Sequence, residues 1–455
     1  MSLPRFAARK RWLVLLFILG LNMWTPFANG QSLTAEVVAR RSALIDKLPD
    51  GLIILPSKWE EKAMEQPLWV QDATFFYFTS LATAPGAILL IDGPSKQSIL
   101  FSGPDPQSFG IPLSDLNVQN RPDWIETSGV SAVLPNAEFE SYVRSRLKEG
   151  VSTIYLDQPR RPIPSEAPSG MLEVSGFHRL WQQSIVSAFP DAAIKSASTE
   201  IGALVWVKSA REVAQLTKNA LYSADALRKG MKSIQEGLTQ RKVEGEVVNA
   251  CLQAGAEGPS FWPWVMTGAN AHITRVVRSF YDDSHLNRTF RSGELVRVDV
   301  GCMSGGYGGD VGRTVPVSGV FSEEQATIWD ILIAGYLAGM DAMKPGQSLD
   351  RIRDASVLGM QAWGQMHPED AAMVAAMSAS TGGVGWHIHG VGIESGETAE
   401  NVLQAGSVIA FEPGFTTSVD AYYLEDMILI TATGHQILTP NLPYSSSEMH
   451  SFLSQ

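Results

Sequence analysis

The sequence predicts two domains: an α/β domain, followed by a domain of helices and strands that contains paired acidic residues. The chain of 455 residues is too long for one ordinary domain and comfortable for two. Over residues 32 to about 200, short apolar runs alternate with helical patterns, which is typical of an α/β domain. With 45% hydrophobic and 18% charged residues, the chain has the composition of a globular protein with a large core.

The first thirty residues have the layout of a secretory signal peptide. Four basic residues between positions 5 and 11 precede an apolar run from Trp12 to Leu21, and a small residue follows at Gly30. We expect cleavage before Gln31, so that residues 1–30 are removed and the protein is secreted or periplasmic, without a membrane segment. The alternative is a single membrane anchor, for which the apolar run is short.

Charge and cysteine count limit the partners and cofactors of the protein. The formal net charge is −12, and a mature chain starting at residue 31 would have 31 basic against 47 acidic residues, a net charge of −16. This balance argues against nucleic acid or an anionic membrane surface as a partner. The two cysteines, Cys251 and Cys302, would either pair after export or remain as buried free thiols, and they form no zinc motif.

The elements of the first domain can be assigned in order. Two apolar runs bounded by Gly, Pro and Asp, at residues 50–57 and 86–93, indicate buried strands. Residues 139–150 have the pattern of a helix that ends at Gly150. Residues 158–170 have the composition of a proline-rich loop.

A long amphipathic helix begins the second part of the chain. Ser209 is a good N-cap, Glu212 completes a capping box, and Gly237 follows the helix end. We therefore place the domain boundary at about residues 200 to 208, with domains at 31–205 and 206–445.

The stretch ELVRVDVGCMSGGYGGDVGRTVPVSG contains the first pair of acidic residues. Asp299 alternates with valines, so it lies in a strand and faces away from them. A hairpin centred between Ser304 and Gly305 would place Asp299 opposite Asp310, with Cβ atoms roughly 4.5–5.5 Å apart. Two like charges in that position are destabilising unless a cation lies between them.

A second pair repeats this pattern in GSVIAFEPGFTTSVDAYYLEDMILIT. A hairpin centred on Ser418 and Val419 would pair Glu412 with Glu425, although a bulge would break either register. A single acid in a strand is usually an exposed residue, but two such pairs around a histidine-containing strand favour metal binding. Four carboxylates and one imidazole suit Mn²⁺, Zn²⁺ or Co²⁺, and they are enough for two ions about 3.5–4 Å apart.

The order Asp, Asp, His, Glu, Glu and its local motifs resemble the pita-bread-fold metallopeptidases, in the branch of Xaa-Pro aminopeptidase (aminopeptidase P) and prolidase. The matching motifs are VRVDVG, GGDVGRTVPVSG, IHGVGIE, AFEPGF and YYLEDMILIT, together with KSAREV and GPSFWPWVMTGANA. The first domain is similar to the creatinase-like N-terminal domain of aminopeptidase P. The resemblance covers nearly the whole mature chain and implies a creatinase-like α/β domain followed by an α+β pita-bread catalytic domain.

The resemblance also implies which residues bind metal and how many ions they hold. The implied ligands are Asp299, Asp310, His389, Glu412 and Glu425. Two divalent ions are implied, with Mn²⁺ expected first and Zn²⁺ or Co²⁺ as alternatives, and Asp310 and Glu425 would bridge them. His389 takes the ligand role because it directly precedes GVG. His387 is then expected to point to the other face of the strand and to be structural.

Three positions depart from the family pattern. A histidine expected seven residues after the ligand is Gly396, and an arginine expected two residues before the last glutamate is Tyr423. A further family histidine is expected after the Asn of GANA, where His272 and His285 flank the position without aligning cleanly. These two histidines would either act in catalysis or be loop residues. A lost hydrogen-bond donor aimed at developing charge commonly costs orders of magnitude in rate.

These features lead to two functional hypotheses. The first is an exported two-metal exopeptidase that hydrolyses Xaa-Pro bonds at peptide N-termini through a metal-bridging hydroxide, with Glu412 shuttling the proton. The second is a catalytically impaired pita-bread domain that binds peptides or metal, for which Gly396 and Tyr423 are the arguments. A metal-free creatinase-like hydrolase is less favoured because all five ligand positions are retained. Proline-containing peptides are the expected partners, and the resemblance implies a homodimer.

Overall fold

Two β-sheets organise the part of the chain that the structure describes. The structure is a computed structural model that describes residues 32–58, 71–102, 107–108, 111–112, 122–157, 177–272, 287–397 and 400–455. The predicted signal peptide, the proline-rich loop and His285 lie outside these residues.

The helices lie mostly before and between the strands of the two sheets. They are α1 (Leu33–Lys47), α2 (Ala73–Thr79), α3 (Pro122–Ser128), α4 (Phe139–Lys148), α5 (Phe177–Ala188), α6 (Ser198–Trp206), α7 (Ala210–Ser233), α8 (Gln240–Ala254), α9 (Glu323–Asp341), α10 (Leu349–Met366), α11 (Ala371–Met377) and α12 (Ser446–Leu453). Short 3₁₀ turns occupy Asn136–Glu138, Gly268–Ala271 and Pro368–Asp370. None of the described helices is long and apolar enough to span a membrane.

The strands of the first part are β1 (Gly51–Pro56), β2 (Ile88–Asp92), β3 (Gln97–Ser102), β4 (Gln107–Ser108), β5 (Ile111–Pro112), β6 (Ala132–Pro135), β7 (Thr153–Leu156) and β8 (Ala193–Ser196). Those of the second part are β9 (Gly258–Pro259), β10 (Trp264–Thr267), β11 (Leu295–Val300), β12 (Cys302–Met303), β13 (Val311–Pro316), β14 (Gly385–Gly390), β15 (Val408–Thr416), β16 (Ala421–Ile430) and β17 (His435–Ile437).

The first sheet has the strand order β6-β3-β2-β1-β7-β8, and β1 runs antiparallel to β2 but parallel to β7. Successive residues of a strand face opposite sides of its sheet. Leu52 and Ile54 therefore pack with α4 and α5, while Ile53 and Leu55 pack with α1 and α2. Because β1 is buried on both faces, its sequence is a continuous apolar run. The predicted α/β character of the first domain is confirmed.

The second sheet is antiparallel and has the strand order β10-β11-β13-β16-β15-β14, with β17 paired to β16. Val296, Val298 and Val300 of β11 enter a core that includes residues of α7 and α8. Asp299 alternates with these valines, so it lies on the opposite face of the sheet, as predicted.

The start of α7 agrees with the sequence. The Ser209 hydroxyl accepts a hydrogen bond from the Glu212 amide at 3.2 Å, and the Glu212 carboxylate accepts one from the Ser209 amide at 2.8 Å. The helix ends at Ser233 and is capped by Ile234, so Gly237 lies in the following loop.

Cys251 of α8 and Cys302 of β12 form a disulfide bond. The sequence left pairing and free thiols open, and the structure selects pairing. The disulfide bond links α8 to β12, the short strand that follows β11.

A buried polar cluster connects α1 to the second part of the chain. The Arg40 guanidinium lies 3.3 Å from Glu212 and 3.4 Å from the Tyr307 hydroxyl, and it stacks on the Tyr77 ring at 4.1 Å. Residues 33–455 form a single compact unit. The first sheet is therefore anchored next to the loop that separates the first acidic pair.

Candidate metal centre

Asp299 and Asp310 come together, but not through the predicted hairpin register. Asp299 lies opposite Gly312, and Val300 lies opposite Val311, so the turn is centred one residue later than predicted. The ladder ends there because β12 leaves it to pair with β9, and Gly305 and Gly306 form the turn with φ of 62° and 78°. Positive φ favours glycine, whereas the predicted turn centred between Ser304 and Gly305 would have only one glycine at its two central positions. Asp310 immediately precedes β13 instead of facing Asp299 across a ladder.

Glu412 and Glu425 follow the register that the sequence predicts. Phe411 pairs with Asp426, and Gly414 pairs with Tyr423, so the same register holds on both sides of the two glutamates. The strands β15 and β16 are long and the turn between them is short, which leaves little freedom for a slip. Glu425 is fully buried, and Glu412 is partly exposed on the same face.

His389 lies at the centre of the acidic residues. On β14 it pairs with Ala410, and its Nε2 atom lies 3.1 Å from Glu412 Oε1, 3.6 Å from Glu425 Oε1 and 3.7 Å from Asp310 Oδ2. Its Nδ1–H donates to the Gly390 carbonyl at 3.0 Å, since a carbonyl can only accept. That bond fixes the ring so that Nε2 faces the carboxylates, an arrangement typical of metal-ligating histidines.

The prediction that His387 points to the other face of its strand is wrong. Residues two apart in a strand face the same side, so His387 and His389 lie together, with ring centroids 5.4 Å apart. His387 pairs with Glu412 across the two strands, and its Nδ1 atom contacts Glu412 Oε1. Both imidazoles therefore contact the same carboxylate.

The electrostatics of the cluster suit a bound cation. Burial, followed by the charge of Glu425, raises the pKa of Asp299 to about 7. Burial and the same neighbour raise the pKa of Asp310 well above its ordinary range. Burial lowers the pKa of His389, but hydrogen bonds to Glu412 and Glu425 outweigh it and raise that pKa to about 10. Without a metal, the site thus retains protons to offset its negative charge.

Two buried carboxylate oxygens of the cluster are also available to bind a cation. Asp299 Oδ1 and Glu425 Oε1 have no hydrogen-bond partner among the residues that the structure describes. Buried polar atoms are normally paired, and an exception has a reason such as a water molecule, an ion or a functional role. The donor set of carboxylate oxygens and one imidazole nitrogen fits a divalent cation.

An open cavity of about 480 Å³ lies beside the cluster. The ligand candidates Asp299, Asp310, His389 and Glu412 line it, together with Phe261, Trp264, Arg297, His387, Ile388, Ser395, Gly396 and Glu397. A volume of this size accommodates a small ligand. The cavity therefore presents apolar and aromatic surface next to a group of metal-binding side chains.

The chain matches two domain families along its length. Residues 211–432 match Metallopeptidase family M24, and residues 37–155 match the Aminopeptidase P, N-terminal domain. The chain contains a metallopeptidase M24 domain. The M24 match implies divalent metal ions, and the residues described above fit them.

Relatives and solved structures show the same two-domain architecture. The chain is 24% identical to the Xaa-Pro aminopeptidase of Escherichia coli (strain K12), over 92% of this chain and 97% of that protein. It resembles the structure of proline aminopeptidase P II from Yersinia pestis with a TM-score of 0.72 and 22% identity, over 93% of this chain and 100% of the other. It also resembles aminopeptidase P from Escherichia coli with the inhibitor Pro-Leu, with a TM-score of 0.71 and 22% identity, over 93% and 98% of the two chains. The predicted fold class is confirmed.

Tyr423 stands where the resemblance leads us to expect an arginine, and the structure supplies a different arginine nearby. The Arg297 Nη2 atom donates to Asp299 Oδ2 at 2.8 Å, and the guanidinium lies 3.6 Å from the centroid of the Tyr423 ring. The Tyr423 hydroxyl donates to Glu425 Oε2 at 2.6 Å. Burial and the neighbouring Asp299 raise the pKa of Tyr423 well above its ordinary value, so the hydroxyl stays protonated.

Arg297 is a further member of this site that was not predicted from the sequence. The signal was present in VRVDVG, because Arg297 and Asp299 are two residues apart in one strand and so share a face. Its guanidinium is buried next to the acidic cluster.

The other predicted histidines do not join the centre in the described structure. His272 follows the 3₁₀ turn Gly268–Ala271 and is not among the residues that line the cavity. It interacts electrostatically with Asp420, and its Nε2 atom is buried without a hydrogen-bond partner in the described residues. His285 lies outside those residues. His387 is thus the second imidazole that the structure brings to the cavity.

Proposed function

We propose that this M24 metallopeptidase is an Xaa-Pro aminopeptidase, which uses two divalent ions to remove the first residue from peptides with proline in second position. The arrangement of Asp310, Glu412 and Glu425 around the Nε2 atom of His389 carries the proposal. The buried, unpaired oxygens of Asp299 and Glu425 support it, since each is an available ligand atom.

The number and kind of ions follow from the donor set. Four carboxylates have more negative charge than one divalent ion neutralises, which favours two ions with bridging carboxylates. Oxygen ligands with one imidazole favour Mn²⁺, with Zn²⁺ and Co²⁺ as alternatives. Bound ions would supply an ionised water molecule and polarise the peptide carbonyl.

Glu412 is the residue best placed to move a proton. Burial raises its pKa, but hydrogen bonds with His387 and His389 outweigh burial and hold the pKa below its ordinary range. The carboxylate is therefore ionised at neutral pH and faces the cavity. Its position at the cavity, and not its basicity, suits it to accept a proton from the attacking water and to deliver it to the leaving amine.

The substrate class follows from the relatives and is compatible with the cavity. The Escherichia coli relative is named an Xaa-Pro aminopeptidase, and a related structure holds the inhibitor Pro-Leu. Phe261 and Trp264 give one wall of the cavity an aromatic surface that suits the ring of a proline.

Hydrolysis of matched peptides tests the proposal. The metal-depleted protein is assayed with Xaa-Pro peptides and with the same peptides containing alanine instead of proline, before and after addition of Mn²⁺, Zn²⁺ or Co²⁺. We expect release of the first residue from the proline peptides only, and only with metal. Absence of activity under every metal, together with absence of a tightly bound ion, would refute the proposal.

A second candidate function is peptide or metal binding with poor turnover. Gly396 favours it, because this cavity residue offers no side-chain donor where the family pattern has a histidine. Stoichiometric metal binding and peptide binding without hydrolysis would support this alternative.

We also propose that the protein is exported after removal of residues 1–30 and forms a homodimer. The disulfide between Cys251 and Cys302 supports export, because disulfides persist in oxidising compartments. N-terminal sequencing of the protein from fractionated cells should begin at Gln31, and sedimentation should give twice the mass of one chain.

A further inference from the structure

We propose that Arg297 and Tyr423 form one positioning unit that orients the carboxylates of Asp299 and Glu425 for metal binding. In this chain the unit takes the place of an arginine at position 423. The inference rests on the metal centre of the proposed function, but its test measures metal binding and not peptide hydrolysis.

Arg297 is buried and lies against two aromatic rings. Its guanidinium carbon lies 3.6 Å from the Tyr423 ring centroid and 5.3 Å from that of Trp264. The side chain is 5% exposed, and a planar guanidinium in such a position retains little freedom to rotate. The N–H groups of the guanidinium therefore donate their hydrogen bonds in a defined direction.

Each half of the unit binds one oxygen of a carboxylate and leaves the other oxygen without a hydrogen-bond partner among the described residues. Arg297 Nη2 donates to Asp299 Oδ2 at 2.8 Å, while Asp299 Oδ1 has no partner among the described residues. The Tyr423 hydroxyl donates to Glu425 Oε2 at 2.6 Å, while Glu425 Oε1 also has no hydrogen-bond partner there and lies 3.6 Å from His389 Nε2. This pattern is expected of outer hydrogen bonds that orient metal ligands.

Gly312 is what allows the two halves to meet. It lies on β13, between β11 and β16, opposite both Asp299 and Glu425. A Cβ atom at Gly312 would lie 2.2 Å from Cε1 of Tyr423, far inside van der Waals contact. Glycine thus leaves the space in which the tyrosine ring lies across the middle strand and reaches Arg297.

An arginine at position 423 and the present Arg297 would exclude each other. With Tyr423 already 3.6 Å from Arg297, an arginine in its place would bring two guanidinium groups together in a buried site. Like charges at such a distance repel strongly when water is excluded. Tyrosine at 423 avoids this repulsion and still provides a hydroxyl donor for Glu425.

Metal affinity of matched variants tests the unit. Wild type, Arg297→Met, Arg297→Lys, Tyr423→Arg and the double variant Arg297→Met/Tyr423→Arg are compared by chelator competition for Mn²⁺ and by the visible spectrum of bound Co²⁺. We expect Arg297→Met to weaken metal binding by about 10–100-fold and to change the Co²⁺ spectrum. Arg297→Lys should fall in between, because it keeps the charge but loses the planar stacking.

The double variant distinguishes positioning from a general loss of structure. Tyr423→Arg alone should bind metal poorly, because it has two guanidinium groups beside the ligands. The double variant has a single guanidinium group, as wild type does, and should bind metal better than either single variant. Circular dichroism must show that each variant is folded. Arg228→Met is the control, since Arg228 bonds with Asp225 and the Pro440 carbonyl.

Two results separate the inference from the proposed function. If wild type binds no divalent ion, the proposed function fails. If wild type binds metal and a folded Arg297→Met binds it equally well, or the double variant is no better than its parents, the positioning unit is refuted.

Discussion

The Lys208 ammonium lies 2.5 Å from Glu397 Oε2, and both side chains are almost completely buried. The other carboxylate oxygen of Glu397 accepts a hydrogen bond from the Ile393 amide at 2.9 Å, and its backbone pairs with Gly390. Lys208 lies just before α7, whereas Glu397 closes the loop that follows β14 and lines the cavity. The pair therefore anchors the loop containing Gly396 to the start of the second domain.

We expect Lys208→Met to lower the free energy of unfolding by about 3–5 kcal/mol, because it leaves a buried carboxylate without its counter-charge. The double variant Lys208→Met/Glu397→Gln should recover most of this loss, since no charge then remains buried and the amide oxygen still accepts from Ile393. Urea unfolding measures both variants. Equal stability of the single and double variants would contradict the role of the pair.

Asp310→Ala should abolish binding of metal to the centre, because the carboxylate lies 3.7 Å from His389 and is expected to bridge two ions. In the absence of metal, the same change should raise the melting temperature at neutral pH, since folding then no longer has to bury a carboxyl group with a raised pKa among other carboxylates. Elemental analysis after gel filtration measures the bound ions. Asp341→Ala, at the exposed end of α9, is the control. Two retained equivalents of metal in Asp310→Ala would refute the prediction.

The stability of the metal-free protein should fall as pH rises from about 5 to 9. Burial and Glu425 raise the pKa of Asp299 from 3.8 to about 7. Despite burial, hydrogen bonds with Glu412 and Glu425 raise the pKa of His389 from 6.5 to about 10. Between each pair of values the folded state binds more protons than the unfolded state. The stabilisation is therefore complete at low pH and is lost as pH rises through about 7 and about 10.

Melting temperatures recorded at several pH values in the presence of a chelator test this fall of stability with pH. Each excess proton changes the free energy by about 1.4 kcal/mol per pH unit. In Asp299→Asn, the melting temperature should depend less on pH between about pH 4 and 7. With saturating Mn²⁺, the melting temperature should rise with pH instead, because the metal displaces the protons. A pH-independent melting temperature in the metal-free protein would contradict the argument.

His387→Ala should weaken metal binding by about 10–100-fold, because it removes the contact that orients the Glu412 carboxylate. The side chain is mostly exposed, so stability should change by less than about 0.5 kcal/mol. Chelator competition measures the affinity. His450→Ala, on the exposed helix α12, should behave as wild type. An unchanged metal affinity in His387→Ala would show that His387 does not contribute to metal binding.

Reduction of the Cys251–Cys302 disulfide should lower the free energy of unfolding by about 4 kcal/mol, the value expected from loop entropy for cysteines 51 residues apart. Unfolding with and without reductant measures the loss, and thiol titration of the denatured, unreduced protein should find no free thiol. Replacing both cysteines by serine should make stability insensitive to reductant. Detection of two thiols in protein from its native compartment would contradict the pairing.

Local signals in the sequence predict much of this fold. The capping box of α7 depends on two residues three apart, and the two-sided burial of β1 shows as an unbroken apolar run. The register of Glu412 and Glu425 could be predicted because a short turn joins two long strands. Such features depend on neighbours in the chain, so periodicity is enough to find them.

The errors and omissions have different physical causes. The register of Asp299 failed because the turn uses Gly305 and Gly306 as its two central residues, which shifts the pairing of the strands by one residue. The position of His387 and the role of Arg297 were available from strand periodicity, which places residues two apart on one face. The pairing of Lys208 with Glu397, separated by 189 residues, leaves no local pattern at all.

Gly312 has a consequence for the history of this site. It gives room for an aromatic ring at 423 while an arginine occupies 297, whereas the resemblance leads us to expect the arginine at 423. With the positioning role proposed above, a lineage that passed from one arrangement to the other by single substitutions would cross an ancestor with two guanidinium groups beside Asp299, or with none. Either ancestor would hold its metal poorly, so we expect the residues at 297, 312 and 423 to be inherited together as one set.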